Sequence, residues 1–206
     1  KNENFKILEK ILNKKKYKNF KGVSFDSKQV KENNLFIAIK GKKNNGHNYI
    51  FQALKKGAKY CVVSKKLKNI NRKKLIRVNN TVRFLNKFAK EKREISKAKI
   101  IAITGSNGKT SCKTILGNLL NNFGNTYFSP KSYNNHFGVP ISLSNLNHNH
   151  QFGVFEIGMS NKGEIDKLSK IVKPDIAIIT NIAEAHIQNF KNLRDIAKAK
   201  GEIINN

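Results

Sequence analysis

The segment Thr104-Gly105-Ser106-Asn107-Gly108-Lys109-Thr110-Ser111 constrains this chain more than any other, because it lies between a strand-like and a helix-like run. Residues 99–104 are apolar and strand-forming, and residues 109–121 read as a helix. The same rhythm continues downstream. Residues 126–129, 153–157 and 175–180 read as strands, and 164–171 and 193–204 as helices. Strands alternating with helices predict an α/β fold with a parallel, doubly wound sheet. Ligands of such sheets sit at the carboxyl ends of the strands, where Thr104, Glu156, Thr180 and Asn181 fall in this reading.

Glycines at 105 and 108 let backbone amides wrap phosphate oxygens, and the following helix presents its positive end. Lys109 is placed to reach the β- and γ-phosphates, and the Thr110 hydroxyl to sit on Mg²⁺. The loop is the short form G-x-x-G-K-T: Ile103 stands five positions before Gly108, where the longer phosphate loop opens with glycine. Glu156 ends the apolar run Gly-Val-Phe-Glu, where a carboxylate can face the loop and bind Mg²⁺.

Upstream, residues 22–25, 35–39, 60–63 and 75–78 are short strand-like runs. Residues 4–12 and 51–56 read as helices, the second closed by Gly57. A charged, helix-prone stretch at 87–99 runs into a boundary near residue 97. This predicts a small N-terminal α/β domain over 1–97 and a nucleotide-binding domain over 98–206. With 38% apolar residues, no run of 18 apolar residues and no secretion-type N-terminus, a cytoplasmic protein is expected. Cys61 and Cys112 lack metal-type spacing, which agrees with a reducing compartment.

The net charge of +28 is uneven. Residues 1–100 carry 30 Lys/Arg against 6 Asp/Glu, a net of +24, and residues 101–206 carry 11 against 7, a net of +4. Lysine dominates and aromatics are not interleaved with arginine, which favours a solvated surface over a dedicated nucleic-acid face.

The ordered set of motifs resembles the Mur ligase family, whose members add amino acids to the UDP-linked cell-wall precursor. TGSNGKTS resembles the family's phosphate loop. Asn134-Asn135-His136-Phe137-Gly138-Val139-Pro140 and Phe155-Glu156-Ile157-Gly158-Met159-Ser160 with Gly163-Glu164-Ile165 resemble the branch that adds a dipeptide. Thr180-Asn181-Ile182, Ala185-His186 and Ala199-Lys200-Gly201-Glu202-Ile203 complete the series. Asp26-Ser27-Lys28, residues 35–38, Gly41 and Gly46-His47 resemble the family's UDP-sugar-binding domain.

The resemblance implies a ligase that uses ATP and Mg²⁺ to join D-Ala-D-Ala to UDP-N-acetylmuramoyl-tripeptide through an acyl phosphate. It implies nucleotide binding by residues 105–111 with Asn135, and substrate binding by Ser27, Lys28, Gly46, His47 and Asn135. Lys109, Glu156, His186 and Lys200 are the implied catalytic residues, and Thr110, Glu156, His186 and Lys200 the implied metal ligands, Lys200 as a carbamate. Lys28 stands where the family usually has arginine, and Asn45 where it commonly has aspartate. The resemblance further implies a longer, three-domain protein, so weak binding and no turnover are expected of these 206 residues alone. From the residues themselves, a phosphate-loop ATPase or kinase for another acceptor stays open. So do a sister ligase adding the third peptide residue and a basic nucleic-acid-binding module.

Overall fold

The computed structural model describes residues 4–41, 44–185 and 187–206. The chain divides into two compact units, Lys1–Glu91 and Lys92–Asn206. The division falls inside a helix.

In the first unit, helix α1 (Asn4–Leu12) precedes strands β1 (Val23–Ser24) and β2 (Leu35–Ile37). A 3-10 turn (Gly46–Tyr49) leads into α2 (Ile50–Lys55), then β3 (Tyr60–Val63), β4 (Leu75–Arg77) and α3 (Thr81–Ile95). The four strands form one parallel sheet in sequential order, β1-β2-β3-β4. A parallel sheet is normally covered on both faces, and the strand residues here are apolar on both sides accordingly. Phe36, Ala38, Cys61 and Val63 join Ile50 and Ala53 of α2 in one core. Leu35, Ile37 and Val62 are also buried, and the rings of Phe20 and Phe88 of α3 lie 5.9 Å apart.

The charged helix expected at 87–99 begins earlier, at Thr81, and ends at Ile95. Its apolar face lies largely in its N-terminal half, where Phe84, Leu85, Phe88 and Ala89 are buried. Lys87 and Lys90 mark its exposed surface, whereas Lys92 is buried.

The second unit runs β5 (Lys99–Thr104), α4 (Lys109–Leu120), β6 (Thr126–Phe128), α5 (Gly138–Ser144), β7 (Phe152–Glu156), α6 (Glu164–Val172), β8 (Ile176–Ile179) and α7 (Leu193–Gly201). Its strands are parallel in the order β6-β7-β5-β8, so β5 lies between β7 and β8. Ile101, Ile103 and Val154 pack on one face against Cys112, Leu116 and Leu120 of α4. On the other face α5 packs on β7, α6 on β5, and the two helices on each other. This is the doubly wound parallel sheet that the sequence rhythm predicts. The chain crosses from β7 over β5 to β8, and that reversal opens the crevice where such folds bind ligands. Among the described residues no helix is long and apolar enough to cross a membrane.

Candidate functional site

The loop leaving β5 is held by the segment that follows β8. Ser106 N donates to the Asn181 carbonyl (3.0 Å), and Asn107 N donates to the Asn181 side-chain oxygen (2.8 Å). Ser106 Oγ donates to the Ala183 carbonyl and accepts from Ala183 N, each at 2.9 Å. Thr180 Oγ1 donates to the Asn107 carbonyl (2.6 Å). Two glycines make this shape possible for different reasons. Gly105 has φ +147°, and a Cβ there would lie 1.9 Å from Thr180 Oγ1. Gly108 has φ +76° with no atom within 4 Å of a built Cβ, so only its left-handed backbone calls for glycine.

Gly108 caps α4, whose first turn carries Lys109 and Thr110. The Lys109 ammonium folds onto the loop, donating to the carbonyls of Gly105 (2.6 Å) and Ser106 (3.0 Å). Burial lowers the Lys109 pKa, and the charge of Glu156 acts in the opposite sense. Thr110 Oγ1 donates to Glu156 Oε2 at 2.8 Å, across the gap between α4 and the end of β7. The other carboxylate oxygen, Oε1, accepts from Asn134 Nδ2 at 2.7 Å. Glu156 is 1% exposed. The loop residues 105–110, Glu156 and Thr180–Asn181 therefore meet at one rim of the sheet.

Sequence reasoning missed Lys113, one helical turn beyond Thr110. Its ammonium lies 3.7 Å from Glu156 Oε2 and donates to the Lys131 carbonyl. Burial lowers its pKa, and Glu156 opposes the shift through charge and hydrogen bonding. A lysine in the middle of a helix reads as solvated face, so only its spacing from Thr110 (i, i+3, hence the same face) hints at the site.

Lys200 lies on α7, 3% exposed. Burial pushes its pKa down to about 8, and the Lys109 ammonium adds to the effect. His186 lies outside the described residues. Asn135 is engaged locally: its side-chain oxygen accepts from the amides of Phe137 (3.0 Å) and Gly138 (2.9 Å), capping α5. Its neighbour Asn134 is the residue that reaches Glu156. Ser111 follows Thr110 in the first turn of α4 and is exposed. Glu202, part of the last motif, accepts from Gly163 N (2.8 Å) and Asp166 N (3.1 Å), capping the start of α6. That position is occupied in holding the fold.

In the first unit Ser27 Oγ donates to Gln52 Oε1 at 2.7 Å, and the exposed Lys28 donates its backbone amide to Asp26 Oδ1 at 2.9 Å. Gly46 is packed so closely that a Cβ would lie 2.7 Å from the Ile39 backbone nitrogen. Both ring nitrogens of His47 are used. Nδ1 pairs with Asn45 Oδ1 (2.9 Å), and Nε2 accepts from Ser64 N (3.0 Å). Accepting from a backbone N–H requires an unprotonated Nε2, so Nδ1 carries the proton and the ring is neutral. Burial, followed by the charge of Lys65, lowers its pKa in the same sense. Asn45 also accepts from His47 N (3.1 Å), so this asparagine serves the loop as a pure acceptor at its oxygen.

The oxygen donors at the rim suit a hard cation. Magnesium takes one or two protein oxygens and fills its remaining positions from phosphates and water, and the Thr110 hydroxyl and Glu156 carboxylate supply such a pair. Among the described residues no group of three or more His, Cys, Asp or Glu side chains could hold a metal by itself.

Comparison with known proteins places both units. The Mur ligase middle domain model matches residues 103–206, and the Mur ligase family catalytic domain model matches residues 19–93. The chain is 46% identical over 184 residues to the UDP-N-acetylmuramoyl-tripeptide--D-alanyl-D-alanine ligase of Rickettsia prowazekii, covering 89% of this chain and 41% of that protein. It is similar to the crystal structure of MurF from Acinetobacter baumannii, with TM-score 0.81 and 32% identity over 96% of this chain and 45% of that one. The MurF ligase of Thermotoga maritima, solved in complex with ADP, gives TM-score 0.74 and 35% identity over 89% of this chain and 43% of that one. The chain spans about two fifths of the length of the curated relatives it matches.

Proposed function

The chain belongs to the Mur ligase family, and from that premise we propose that it is the part of an ATP-dependent amide ligase that holds the nucleotide phosphates and the uridine-linked substrate. The whole protein joins D-Ala-D-Ala to UDP-N-acetylmuramoyl-tripeptide, as the names of its relatives suggest. The observation that carries the reading is the 2.8 Å bond from Thr110 to Glu156, beside a phosphate loop pinned to residues 180–183. It sets a lysine, a hydroxyl and a buried carboxylate around one point at the carboxyl ends of β5 and β7.

A carboxylate is a poor electrophile, so the tripeptide carboxylate takes the terminal phosphoryl group of ATP, releasing ADP. The dipeptide amine then attacks the acyl carbon, the C–N bond forms, and inorganic phosphate leaves with the acyl C–O bond. In this scheme the amides of residues 105–110 and the start of α4 orient the phosphates. Lys109 exchanges its two loop carbonyls for phosphate oxygens, which are better partners for an ammonium. Thr110 and Glu156 would hold Mg²⁺, which would supply charge neutralisation at the phosphates. Burial lowers the Lys200 pKa to about 8, so more of this amine is uncharged at neutral pH than of a solvated lysine. Only an uncharged amine adds to carbon dioxide, so this lysine is suited to form a carbamate, which would be an anionic metal ligand. Ser27, Lys28, Gly46 and His47 belong to the uridine-substrate side. There His47 acts by holding its loop, and Lys28 meets phosphate as a point charge where arginine would offer a fork. Asn135 acts by capping α5 and so placing Asn134.

The test is a calorimetric titration of UDP-N-acetylmuramoyl-tripeptide into the chain at physiological salt, with UDP-N-acetylglucosamine and a random oligonucleotide as comparisons. Selective binding of the muramyl tripeptide supports the ligase reading. Equal or tighter oligonucleotide binding, falling steeply with salt, refutes it in favour of a nucleic-acid surface.

A further inference from the structure

A buried carboxylate needs a matching charge or a full set of donors, and one left alone is strongly destabilising. Glu156 and Lys113 have side chains only 1% and 2% exposed, and they face each other at 3.7 Å. Three side chains converge on this carboxylate: Thr110 from the first turn of α4, Lys113 from the next turn, and Asn134 from the loop before α5. Only Lys113 brings a positive charge. The same ammonium donates to the Lys131 carbonyl, tying α4 to the loop that carries Asn134. Nothing in the phosphate-loop chemistry described above uses this lysine.

We propose that Lys113 is a positioning residue, the built-in counter-charge that keeps Glu156 buried and aimed at Thr110 before a divalent cation arrives. Mg²⁺ at the Thr110–Glu156 pair then takes over part of that task. This inference rests on the reading of Glu156 as a magnesium ligand. It separates two roles a buried lysine can have. A brace that only fills space and satisfies the Lys131 carbonyl is needed equally with and without cation, whereas a counter-charge is needed less once another cation is bound.

The experiment follows thermal unfolding of the full-length protein containing this chain by circular dichroism, with and without Mg²⁺ and ADP. Lys113→Met removes the charge but keeps an unbranched apolar stem. It lowers the midpoint by about 10 °C in the absence of ligand, as expected for removal of one partner of a buried pair. Mg·ADP raises the variant's midpoint by more than it raises the wild type's. In Glu156→Gln/Lys113→Met no buried charge is left unpaired, so the double variant unfolds at a higher temperature than Lys113→Met. If Lys113→Met does not fold, the double variant carries the test: its folding supports the counter-charge, and its failure to fold overturns it.

Equal losses with and without Mg·ADP, or a double variant no better than the single one, overturn the Lys113 proposal alone. A full-length protein containing this chain that gains nothing from Mg·ADP removes the nucleotide reading, and this inference falls with it.

Discussion

Replacing Gly105 by alanine tests the phosphate loop more sharply than replacing the lysine, because the structure assigns its cost to named atoms. At φ +147° an alanine pays about 1–3 kcal/mol for its backbone conformation. Its Cβ would also lie 1.9 Å from Thr180 Oγ1, so the hydroxyl must leave. Thr180 then gives up its single hydroxyl donation, directed at the Asn107 carbonyl (2.6 Å) with the Thr104 carbonyl at 3.3 Å, worth about 1 kcal/mol. The total is about 2–4 kcal/mol, a large part of a typical domain's stability. Gly108→Ala carries only the left-handed penalty of about 1–2 kcal/mol, because nothing crowds its Cβ. Thr180→Ala costs about 1 kcal/mol by itself but close to nothing in the Gly105→Ala background, where the hydroxyl bond is already lost. Urea unfolding of the four variants against the wild type measures all of these values. Equal costs for the two glycine variants, or additive costs for Gly105→Ala and Thr180→Ala, would refute the assignment of the close approach.

Three further outcomes follow from the same geometry. Lys109→Ala weakens binding of Mg·ADP by about 10- to 100-fold in calorimetry, the value of a charged hydrogen bond to phosphate, while changing unfolding little. His47→Ala leaves Ser64 N without its acceptor and costs about 1–3 kcal/mol in urea unfolding, with Mg·ADP affinity unchanged. For Lys200, the native pKa of about 8 lies below the usual 10.5, so between these values the unfolded chain binds more protons. Stability contributed by this group therefore rises with pH from about 8 to 10.5. Lys200→Met lowers that slope by up to about 1.4 kcal/mol per pH unit, and an unchanged slope would show that the lysine titrates normally.

The second unit was readable because its elements obey one rule each. Residues 99–104 and 153–157 are apolar on both faces, as strands covered by helices must be, and they appear as β5 and β7 within one residue. Helix α5 was not readable. Every residue from Gly138 to Ser144 is buried, so no polar face sets a period, and Pro140 argues against a helix by propensity. Pro140 is accommodated because it stands in the first turn, where backbone amides have no intrahelical acceptor. The reading of 193–204 as one helix joined α7 to a 3-10 turn at Glu202–Ile204, since Glu202 turns back to cap α6. The strand expected at 35–39 is shorter, Leu35–Ile37, because beyond Ala38 the chain turns to meet Gly46.

In the site, the loop and Glu156 were legible because glycine spacing and a strand-end carboxylate carry their own chemistry. Lys113 is not marked by any motif, and Asn134 ranks behind Asn135 in the sequence, because the value of both lies in which buried atom they face. The resemblance implies a substrate-binding role for His47. Its two ring bonds, to Asn45 and Ser64, give it the role of supporting its loop. Asn45 at a position commonly acidic in the family is intelligible from the same bonds, since a neutral ring needs an acceptor and no counter-charge.

The most direct test of the central claim is phosphate release by the full-length protein containing this chain, followed with mass analysis of the muramyl product. ATP, Mg²⁺, UDP-N-acetylmuramoyl-tripeptide and D-Ala-D-Ala are supplied together and then omitted one at a time. The account predicts sustained phosphate release only with both acceptor and dipeptide present, and a product heavier by one D-Ala-D-Ala less water. Phosphate release that ignores the tripeptide, or a product carrying phosphate instead of the dipeptide, would contradict it and leave a phosphate-loop ATPase or kinase.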